Sequence, residues 1–229
     1  QKDMKKWLMW EKRKIKMQRI LLVDFMNLII RNFVSLPMTN SDGEHTGLIF
    51  GAITSLRKSI NDTNPDRVII IWDGRGGTQK RKKINSQYKF NRGTSRMTNF
   101  ECFKSIEDEK KSLSHQINRL KGYLNILPVS QLNIDGLEAD DIIGYICSKA
   151  NTDINNEIII LSTDKDFFQL INNNVSIYNP IKNIQINESR MKIEYSENIP
   201  PCNFALVRTF IGDSSDNITG IKGIGLKTA

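Results

Sequence analysis

The sequence is poor in the residues that build disulfides, zinc sites and histidine-based catalytic groups. It contains three cysteines and two histidines among 229 residues. The cysteines, Cys102, Cys147 and Cys202, are scattered, which argues against a disulfide framework or a zinc site and is typical of a reducing cytosol. The histidines, His45 and His115, are isolated, so a Ser-His-Asp arrangement is not expected.

Long apolar runs are also missing. No stretch of 18 consecutive apolar residues occurs, so the sequence predicts no membrane-spanning helix. The opening QKDMKKWLMWEKRKIKM contains no uninterrupted apolar segment, which argues against a signal peptide. We expect residues 1–18 to form a basic N-terminal extension. The alternative is a helix on a membrane surface, because Trp7, Leu8 and Trp10 lie among lysines.

Positive and negative charges occupy different parts of the sequence. The formal net charge is +8 and the pI is about 9.4, which favours a polyanionic partner. Residues 75–104 contain nine lysines and arginines against one acid, whereas residues 134–166 contain eight acids against two lysines. This separation predicts two tasks, which are to grip an anion and to hold cations.

Three short apolar runs predict buried parallel strands. They are RILLVDF (19–25), DRVIIIWD (66–73) and EIIILSTD (157–164). Apolar residues recur at helical spacing in the segments 47–60, 101–127 and 136–150. Strands that alternate with helices predict an α/β fold with a parallel sheet. VSIYNP and NIQIN predict two short strands near one edge of that sheet.

Carboxylates follow the predicted strands. Asp24, Asp73 and Asp164 end the three runs, and the carboxyl ends of parallel strands lie at one edge of a sheet, where ligands bind. Further acids are expected there: Glu138, Asp140 and Asp141 in the first turn of a helix, Asp166, and Asp213 and Asp216, which share a face if GDSSDN is helical. One aspartate at a strand end is more often a turn former or a helix cap, but so many acids at one edge favour a function.

The composition of this acid group favours hard cations. Nine carboxylates without a histidine or cysteine partner favour Mg²⁺ or Mn²⁺ over zinc. A single magnesium ion keeps most of its waters, so nine acids fit two ions that clamp a phosphodiester.

The basic segment contains KRKK (80–83) and QYKFNRG (87–93). Lys89 and Arg92 suit a scissile phosphate, and Tyr88 suits stacking on an unpaired base. For KRKK alone, a solvated basic loop is an equally good interpretation. Residues 75–97 lack an apolar period, and we expect them to project from the sheet. GIKGIG (220–225) predicts a tight turn whose backbone N–H groups hold a DNA phosphate.

Taken together, these stretches resemble the 5′-nuclease superfamily, which includes flap endonucleases, bacteriophage 5′→3′ exonucleases and the 5′-nuclease domain of bacterial DNA polymerase I. The bacterial and phage branch is the more similar one. The matching stretches occur in the family's order: LLVD, TGLIFGAITSLRK, IIIWD, QYKFNRG, GLEADD, LSTDKDFFQL and GDSSDNITGIKGIGLKTA. The resemblance implies a PIN-like parallel-sheet domain over residues 19–198. It also implies a helical arch at 75–100 and a truncated helix-hairpin-helix region at 199–229.

The resemblance also implies roles for individual residues. The first metal ion would be surrounded by Asp24, Asp73, Glu138 and Asp140, and the second by Asp164, Asp166, Asp213 and Asp216, with Asp141 between them or in the outer shell. Lys89 and Arg92 would act on the scissile phosphate, with Asp140 as the third catalytic residue. The DNA contacts would be Arg31, Lys80, Arg81, Lys82, Lys83, Tyr88, Gly220, Gly223 and Gly225. In relatives a K⁺ ion assists the hairpin.

The predicted function is a divalent-metal-dependent 5′ nuclease, acting as a flap endonuclease or 5′→3′ exonuclease on flapped, nicked or RNA-primed DNA in replication or repair. We expect a cytoplasmic monomer of a bacterial or phage-infected cell, with DNA and replication proteins as partners. One alternative is a PIN-type ribonuclease, against which the glycine hairpin argues. The other is a non-catalytic, structure-specific DNA-binding module, against which the complete acid set argues. Phe25 and Met26 depart from the small residues that the family often has after its first aspartate.

Overall fold

Six strands form the central sheet, in the order β3-β2-β1-β4-β5-β6. The computed structural model describes residues 18–89, 97–150, 156–195, 199–226 and 228. The strands are β1 Gln18–Asp24, β2 Arg67–Ile71, β3 Ser130–Leu132, β4 Asn156–Leu161, β5 Val175–Asn179 and β6 Ile184–Ile186. All neighbouring pairs are parallel except β5 and β6. The first half of the chain adds β2 and β3 on one side of β1, and the second half adds β4, β5 and β6 on the other side. The strand order therefore reverses between β1 and β4. Ligands of open α/β sheets bind at such a point.

Helices cover both faces of this sheet. They are α1 Phe25–Ser35, α2 Gly47–Thr63, α3 Gln79–Ile84, α4 Ile106–Asn125, α5 Ala139–Ala150, α6 Glu188–Glu194 and α7 Phe204–Ile211, with 3-10 helices at Lys165–Leu170 and Pro201–Asn203. Buried side chains of α1, α2 and α4 form a core on one face, and those of α5, α6 and α7 form a core on the other. Within β1, Leu21 and Val23 join the first core and Leu22 joins the second. Because both faces are covered, the strands are continuous apolar runs.

The predicted strands are present, but each ends earlier than expected. β1 ends at Asp24, and Phe25 is already the first residue of α1. The last two residues of the predicted second strand and the last three of the third lie in loops. The side chains of Asp24 and Asp164 accept hydrogen bonds from the first turns of the helices that follow them. The strands therefore end where helix capping begins.

Helix boundaries also differ from the expectation. α2 begins at Gly47 as predicted and ends at Thr63, and the next residue, Asn64, has a left-handed φ of 43°. α4 is shorter than the predicted 101–127, because the side chain of Ser105 caps its start. Helices α1 and α6 and the edge strand β3 were not predicted from the sequence. The structure confirms the two short strands near one edge as β5 and β6, and β6 is the antiparallel edge strand.

The GDSSDN stretch is not helical, so the condition under which Asp213 and Asp216 would share a helix face is not met. Gly212–Asp213 and Ile218–Thr219 pair as a short antiparallel ladder, so GDSSDN is a strand followed by a turn. A Cβ on Gly220 would lie 2.3 Å from the backbone of Ile211, which explains why glycine is needed there. Turns follow in the described residues 220–226, and no second helix is seen among them. The helix-hairpin-helix element is therefore not confirmed. None of the helices in the described segments has the length and apolar character needed to span a membrane.

Candidate active site

The three strand-end aspartates meet at the carboxyl edge of the sheet, and each also has a local structural task. Asp24 accepts hydrogen bonds from the Ser162 hydroxyl at 2.9 Å and from a backbone amide in the first turn of α1 at 3.3 Å. Asp73 accepts from the first amide of α5 at 2.8 Å. Asp164 accepts from the amide two residues later at 2.9 Å. The aspartates that the sequence predicts as site residues therefore also accept hydrogen bonds from the segments that follow the strands or begin α5.

Burial and mutual repulsion alter the acidity of two of these carboxyls. Burial raises the pKa of Asp24 to about 6, hydrogen bonds oppose the rise, and the charges of Asp164 and Asp73 add to it. Burial also raises the pKa of Asp140 to about 7, with Asp24 and Asp164 contributing and Lys89 opposing. Such raised pKa values mean that the charged forms are unfavourable without a compensating cation.

Glu138 connects the acid group to the basic segment. It immediately precedes α5, so the prediction that it lies within the first helical turn is wrong. Its Oε2 atom lies 3.0 Å from Lys89 Nζ, 2.9 Å from Arg81 Nη1 and 3.3 Å from the Tyr88 hydroxyl. Burial alone would raise the pKa of Glu138, but hydrogen bonds from Lys89 and Thr78 and the charges of Lys89 and Arg81 lower it below its usual value. The other oxygen, Oε1, is buried and has no hydrogen-bond partner among the described residues.

Arg81, Tyr88 and Lys89 of the basic segment contact this carboxylate, whereas residues 82–87 are exposed. The expectation that residues 75–97 project from the sheet stays a prediction. Arg81 donates to both oxygens of Asp141, at 2.8 and 3.2 Å. Tyr88 is only 8% exposed, so in this structure its ring is covered and not open to a stacked base. Burial raises the pKa of the Tyr88 hydroxyl to about 12, despite the nearby ammonium of Lys89. Arg92 lies outside the described residues.

Lys89 links the two parts of the acid group. Its ammonium contacts Glu138, and its backbone amide donates to the carbonyl oxygen of Asp216 at 3.1 Å. The φ of Lys89 is 53°, a left-handed conformation that non-glycine residues rarely adopt. Strained backbone of this kind is frequently found at functional sites. Burial lowers the pKa of Lys89, but hydrogen bonds to Tyr88 and Glu138 outweigh it, so the pKa is raised and the side chain stays charged.

A second acid group lies beyond Lys89. Asp166, Asp213 and Asp216 each offer a carboxylate oxygen within 4.8 Å of the others. Arg208 of α7 donates from Nε to Asp166 at 3.2 Å and pairs with Asp213 through Nη2. Burial and the charge of Asp164 raise the pKa of Asp166, and Arg208 opposes this rise. Asp164 therefore contributes to the electrostatics of both groups.

The remaining residues that the sequence predicts as DNA contacts do not take part in the hydrogen bonds and ion pairs of the two acid groups. Lys80, Lys82 and Lys83 are exposed. Arg31 is half-buried in α1, and its Nη1 atom has no hydrogen-bond partner among the described residues. The glycines of the predicted hairpin, Gly220, Gly223 and Gly225, lie in the C-terminal turns. No hydrogen bond in the described segments connects these residues to the acid groups.

Sequence reasoning missed the cations that pair with the acids. It judged the nearby lysines too few to neutralise the carboxylates, whereas Arg81, Lys89 and Arg208 pair with four of them. Arg208 lies only five residues before Asp213, which was an available signal. Ser162 was also missed, although it lies within the predicted run 157–164, and its hydroxyl donates a hydrogen bond to Asp24.

The donor set fits divalent cations. Glu138 Oε1 is a buried carboxylate oxygen without a partner among the described residues, and the charge of Glu138 acts on Asp140 together with those of Asp24 and Asp164. The oxygens of the second group converge within 4.8 Å. All of these ligand atoms are carboxylate oxygens, which suit Mg²⁺ or Mn²⁺.

Comparison with known proteins identifies the family of this chain from its sequence. Residues 19–196 match the family model for the 5′-3′ exonuclease, N-terminal resolvase-like domain. A 5′-3′ exonuclease of Buchnera aphidicola subsp. Schizaphis graminum is 33% identical over 216 residues, covering 93% of this chain and 69% of that protein. The thermostable DNA polymerase I of Thermus filiformis is 30% identical over 212 residues, covering 93% of this chain. The chain spans only 23% of that polymerase's length.

Solved structures share the fold. The bacteriophage T5 flap endonuclease, in a pseudo-enzyme-product complex with DNA and metal ions, matches with a TM-score of 0.71 at 18% identity. That match covers 91% of this chain and 71% of the phage protein. The same phage enzyme has also been crystallised with metal ions, and the match has a TM-score of 0.67 at 21% identity. The chain therefore belongs to the 5′-3′ exonuclease family, in which it carries the N-terminal resolvase-like domain.

Proposed function

We propose that this chain is a divalent-metal-dependent 5′ nuclease that hydrolyses phosphodiesters near the 5′ ends of flapped, nicked or RNA-primed duplex DNA. The observation that carries the proposal is the position of Lys89 between two acid groups at the carboxyl edge of the sheet. Acids that can hold cations beside a partly buried lysine suit a phosphodiester, because its charge grows during hydrolysis. The family's relatives, which are named as exonucleases and polymerases I, agree with this chemistry.

The site would be divided into two cation positions. Asp24, Asp73, Glu138 and Asp140 would hold the first, and Asp164, Asp166, Asp213 and Asp216 the second. When bound, the cations would polarise the phosphodiester and lower the pKa of a coordinated water. Asp141 would stay outside the first position, because both of its oxygens are engaged by Arg81.

Lys89 would act on the substrate directly. Its ammonium already lies at the acid edge, and its raised pKa keeps it protonated at neutral pH. It would donate to a non-bridging phosphate oxygen and offset the negative charge that develops there. Arg92, three residues later, is expected to share this task, and Tyr88 would have to leave its bond to Glu138 before it could stack on a base.

DNA would be held mainly through its phosphates. The exposed lysines 80, 82 and 83 and the C-terminal turns supply charge and backbone amides, which recognise geometry more than base sequence. A K⁺ ion at residues 220–225 and contacts with replication proteins belong to the same proposal, as does action as a cytoplasmic monomer.

The test compares substrates at one protein concentration. We expect cleavage of a 5′-flapped duplex with Mg²⁺ or Mn²⁺, products with 5′-phosphate and 3′-hydroxyl ends, and no cleavage in EDTA. A nicked duplex and an RNA-primed duplex show whether flap cutting or exonucleolysis dominates. Preferential cleavage of single-stranded RNA would favour the PIN-type ribonuclease instead. Tight flap binding without cleavage under any metal condition would favour a non-catalytic binding module.

A further inference from the structure

Arg81 differs from the three lysines beside it in the sequence. Lys80, Lys82 and Lys83 are exposed, and no hydrogen bond ties their side chains to the acid groups in the described segments. The Arg81 side chain is 33% exposed and forms ion pairs with Glu138 and Asp141. The four basic residues that follow one another on α3 therefore have two different environments.

The geometry of these ion pairs requires a guanidinium. Nη2 and Nη1 of Arg81 contact the two oxygens of Asp141 at 2.8 and 3.2 Å, and Nη1 also lies 2.9 Å from Glu138 Oε2. A planar fork can hold two carboxylates in a fixed relative orientation, whereas a lysine ammonium acts as a point charge. Asp141 is held further by the backbone amide of Glu138, which donates to its Oδ2 at 3.0 Å.

The two oxygens of Glu138 have opposite surroundings. Oε2 receives Arg81, Lys89 and Tyr88, while Oε1 is buried without a partner among the described residues. Fixing Oε2 on the basic segment leaves Oε1 for the acid group that includes Asp140. Arg81 therefore does not occupy the oxygen that a cation would use.

We infer that Arg81 is a positioning residue for the first cation position, where it orients Glu138 through Oε2 and fixes Asp141 beside it, and that it is not a phosphate-gripping residue like Lys82. This inference rests on the proposed function, because it assumes that the acids hold a divalent cation. The sequence analysis expected Arg81 to contact DNA, and the positioning role takes the place of that expectation.

Two effects of removing Arg81 have opposite signs. Loss of a positive charge near the acids would by itself raise cation affinity. Loss of orientation lowers it, and hydrogen-bond partners of metal ligands are typically worth about 10- to 100-fold in affinity. Because the guanidinium contacts Oε2 and is partly solvated, its field at the cation is screened, and the orientation effect dominates.

The experiment measures Mn²⁺ affinity of the metal-free protein without DNA, by titration with electron paramagnetic resonance detection of free Mn²⁺. Arg81→Gln should weaken Mn²⁺ binding at one site about 10- to 100-fold. Arg81→Lys, which keeps the charge but loses the fork, should recover only part of that loss. The matched control Lys82→Gln removes the same charge from the same helix and should leave Mn²⁺ affinity unchanged.

A second measurement separates positioning from DNA grip. The slope of log Kd for flapped DNA against log salt concentration, measured in Ca²⁺, should fall by about one for Lys82→Gln and stay unchanged for Arg81→Gln. Thermal unfolding in EDTA shows whether each variant folds. If Arg81→Gln does not fold, the comparison is made with Arg81→Lys. In single-turnover cleavage, the Arg81→Gln defect should shrink as Mg²⁺ is raised.

Each contrary result has a distinct meaning. If Arg81→Gln binds Mn²⁺ more tightly while Arg81→Lys matches the wild type, Arg81 competes with the cation and the inference is wrong. Unchanged affinity in both variants also overturns it. If the wild-type protein itself binds no Mn²⁺, the proposed function fails rather than the role of Arg81.

Discussion

Replacement of Asp24 by asparagine should stabilise the metal-free protein at neutral pH. Asp24 is 5% exposed, and its pKa rises from 3.8 to about 6 because of burial and neighbouring acids. At about 1.4 kcal/mol for each unit of pKa difference, the charged carboxylate costs ~3 kcal/mol. Asparagine avoids this cost but weakens the hydrogen bonds with Ser162 and Asn27, a loss of ~1 kcal/mol. The net gain in free energy of unfolding is therefore ~2 kcal/mol at pH 7.5 in EDTA.

The pH dependence has a definite sign. A carboxyl whose pKa is higher in the folded state binds its proton more tightly there, so its contribution to stability falls as the pH rises from 3.8 to about 6. Above that window the penalty is constant. At pH 4, Asp24→Asn should be slightly less stable than the wild type, because only the hydrogen-bond loss remains. Added Mg²⁺ at pH 7.5 should stabilise the wild type more than the variant.

The assay is urea unfolding followed by circular dichroism in EDTA at pH 4 and pH 7.5. Asp62→Asn is the opposite control, because hydrogen bonds from Tyr178 and Lys58 lower the pKa of Asp62. Its contribution to stability is present above the unfolded pKa of 3.8 and is lost only as the pH falls below that value, so Asp62→Asn should destabilise the protein at both pH 4 and pH 7.5. If Asp24→Asn were less stable than the wild type at both pH values by the same amount, the assignment of a buried, repelled carboxylate would be refuted.

Three further predictions follow from the contacts at the site. Lys89→Ala should reduce single-turnover cleavage by about 10²–10³-fold without rescue by extra Mg²⁺, because its defect lies in charge stabilisation; near-normal rates would remove it from the catalytic residues. Replacing Lys80, Lys82 and Lys83 together by glutamine should lower the salt slope of DNA binding by about 2–3, and an unchanged slope would contradict phosphate contact. Arg208→Gln leaves Asp166 and Asp213 without their cation. It should lower Tm in EDTA, and Mn²⁺ should raise Tm by more than in the wild type, whereas equal shifts would argue against a shared site.

The sequence predicted the edge at which the acids meet, because parallel strands must place their carboxyl ends together. Asp24, Asp73 and Asp164 could therefore be assigned to one site from strand order alone. Their hydrogen-bond partners could not be predicted from the sequence, because only tertiary packing brings Ser162 to Asp24 and the first amide of α5 to Asp73. Helix α1 was missed because its apolar residues continue directly from the apolar run of β1.

Ion pairs between distant segments account for most of the remaining differences. Arg81 and Asp141 are 60 residues apart, so no local pattern indicates that they pair. The same holds for Lys89 and Glu138, whose ion pair brings the end of the described basic segment to the acid group. At the C-terminus, the positive φ of Gly212 and Asn217 favours a ladder and turn over the helix on which the alignment of Asp213 and Asp216 was expected to depend.

The most direct test of the metal-dependent nuclease account is single-turnover cleavage of a 5′-flapped DNA across a Mg²⁺ titration, with the wild type and Asp140→Asn compared. Asp140 lies within the field of Asp24 and Asp164, so its loss should weaken the first cation position. We expect no cleavage by the wild type in EDTA and a rate about 10²–10³-fold lower for Asp140→Asn at low Mg²⁺, with partial recovery as Mg²⁺ rises. Full wild-type cleavage in EDTA, or a normal rate for Asp140→Asn at low Mg²⁺, would contradict the account.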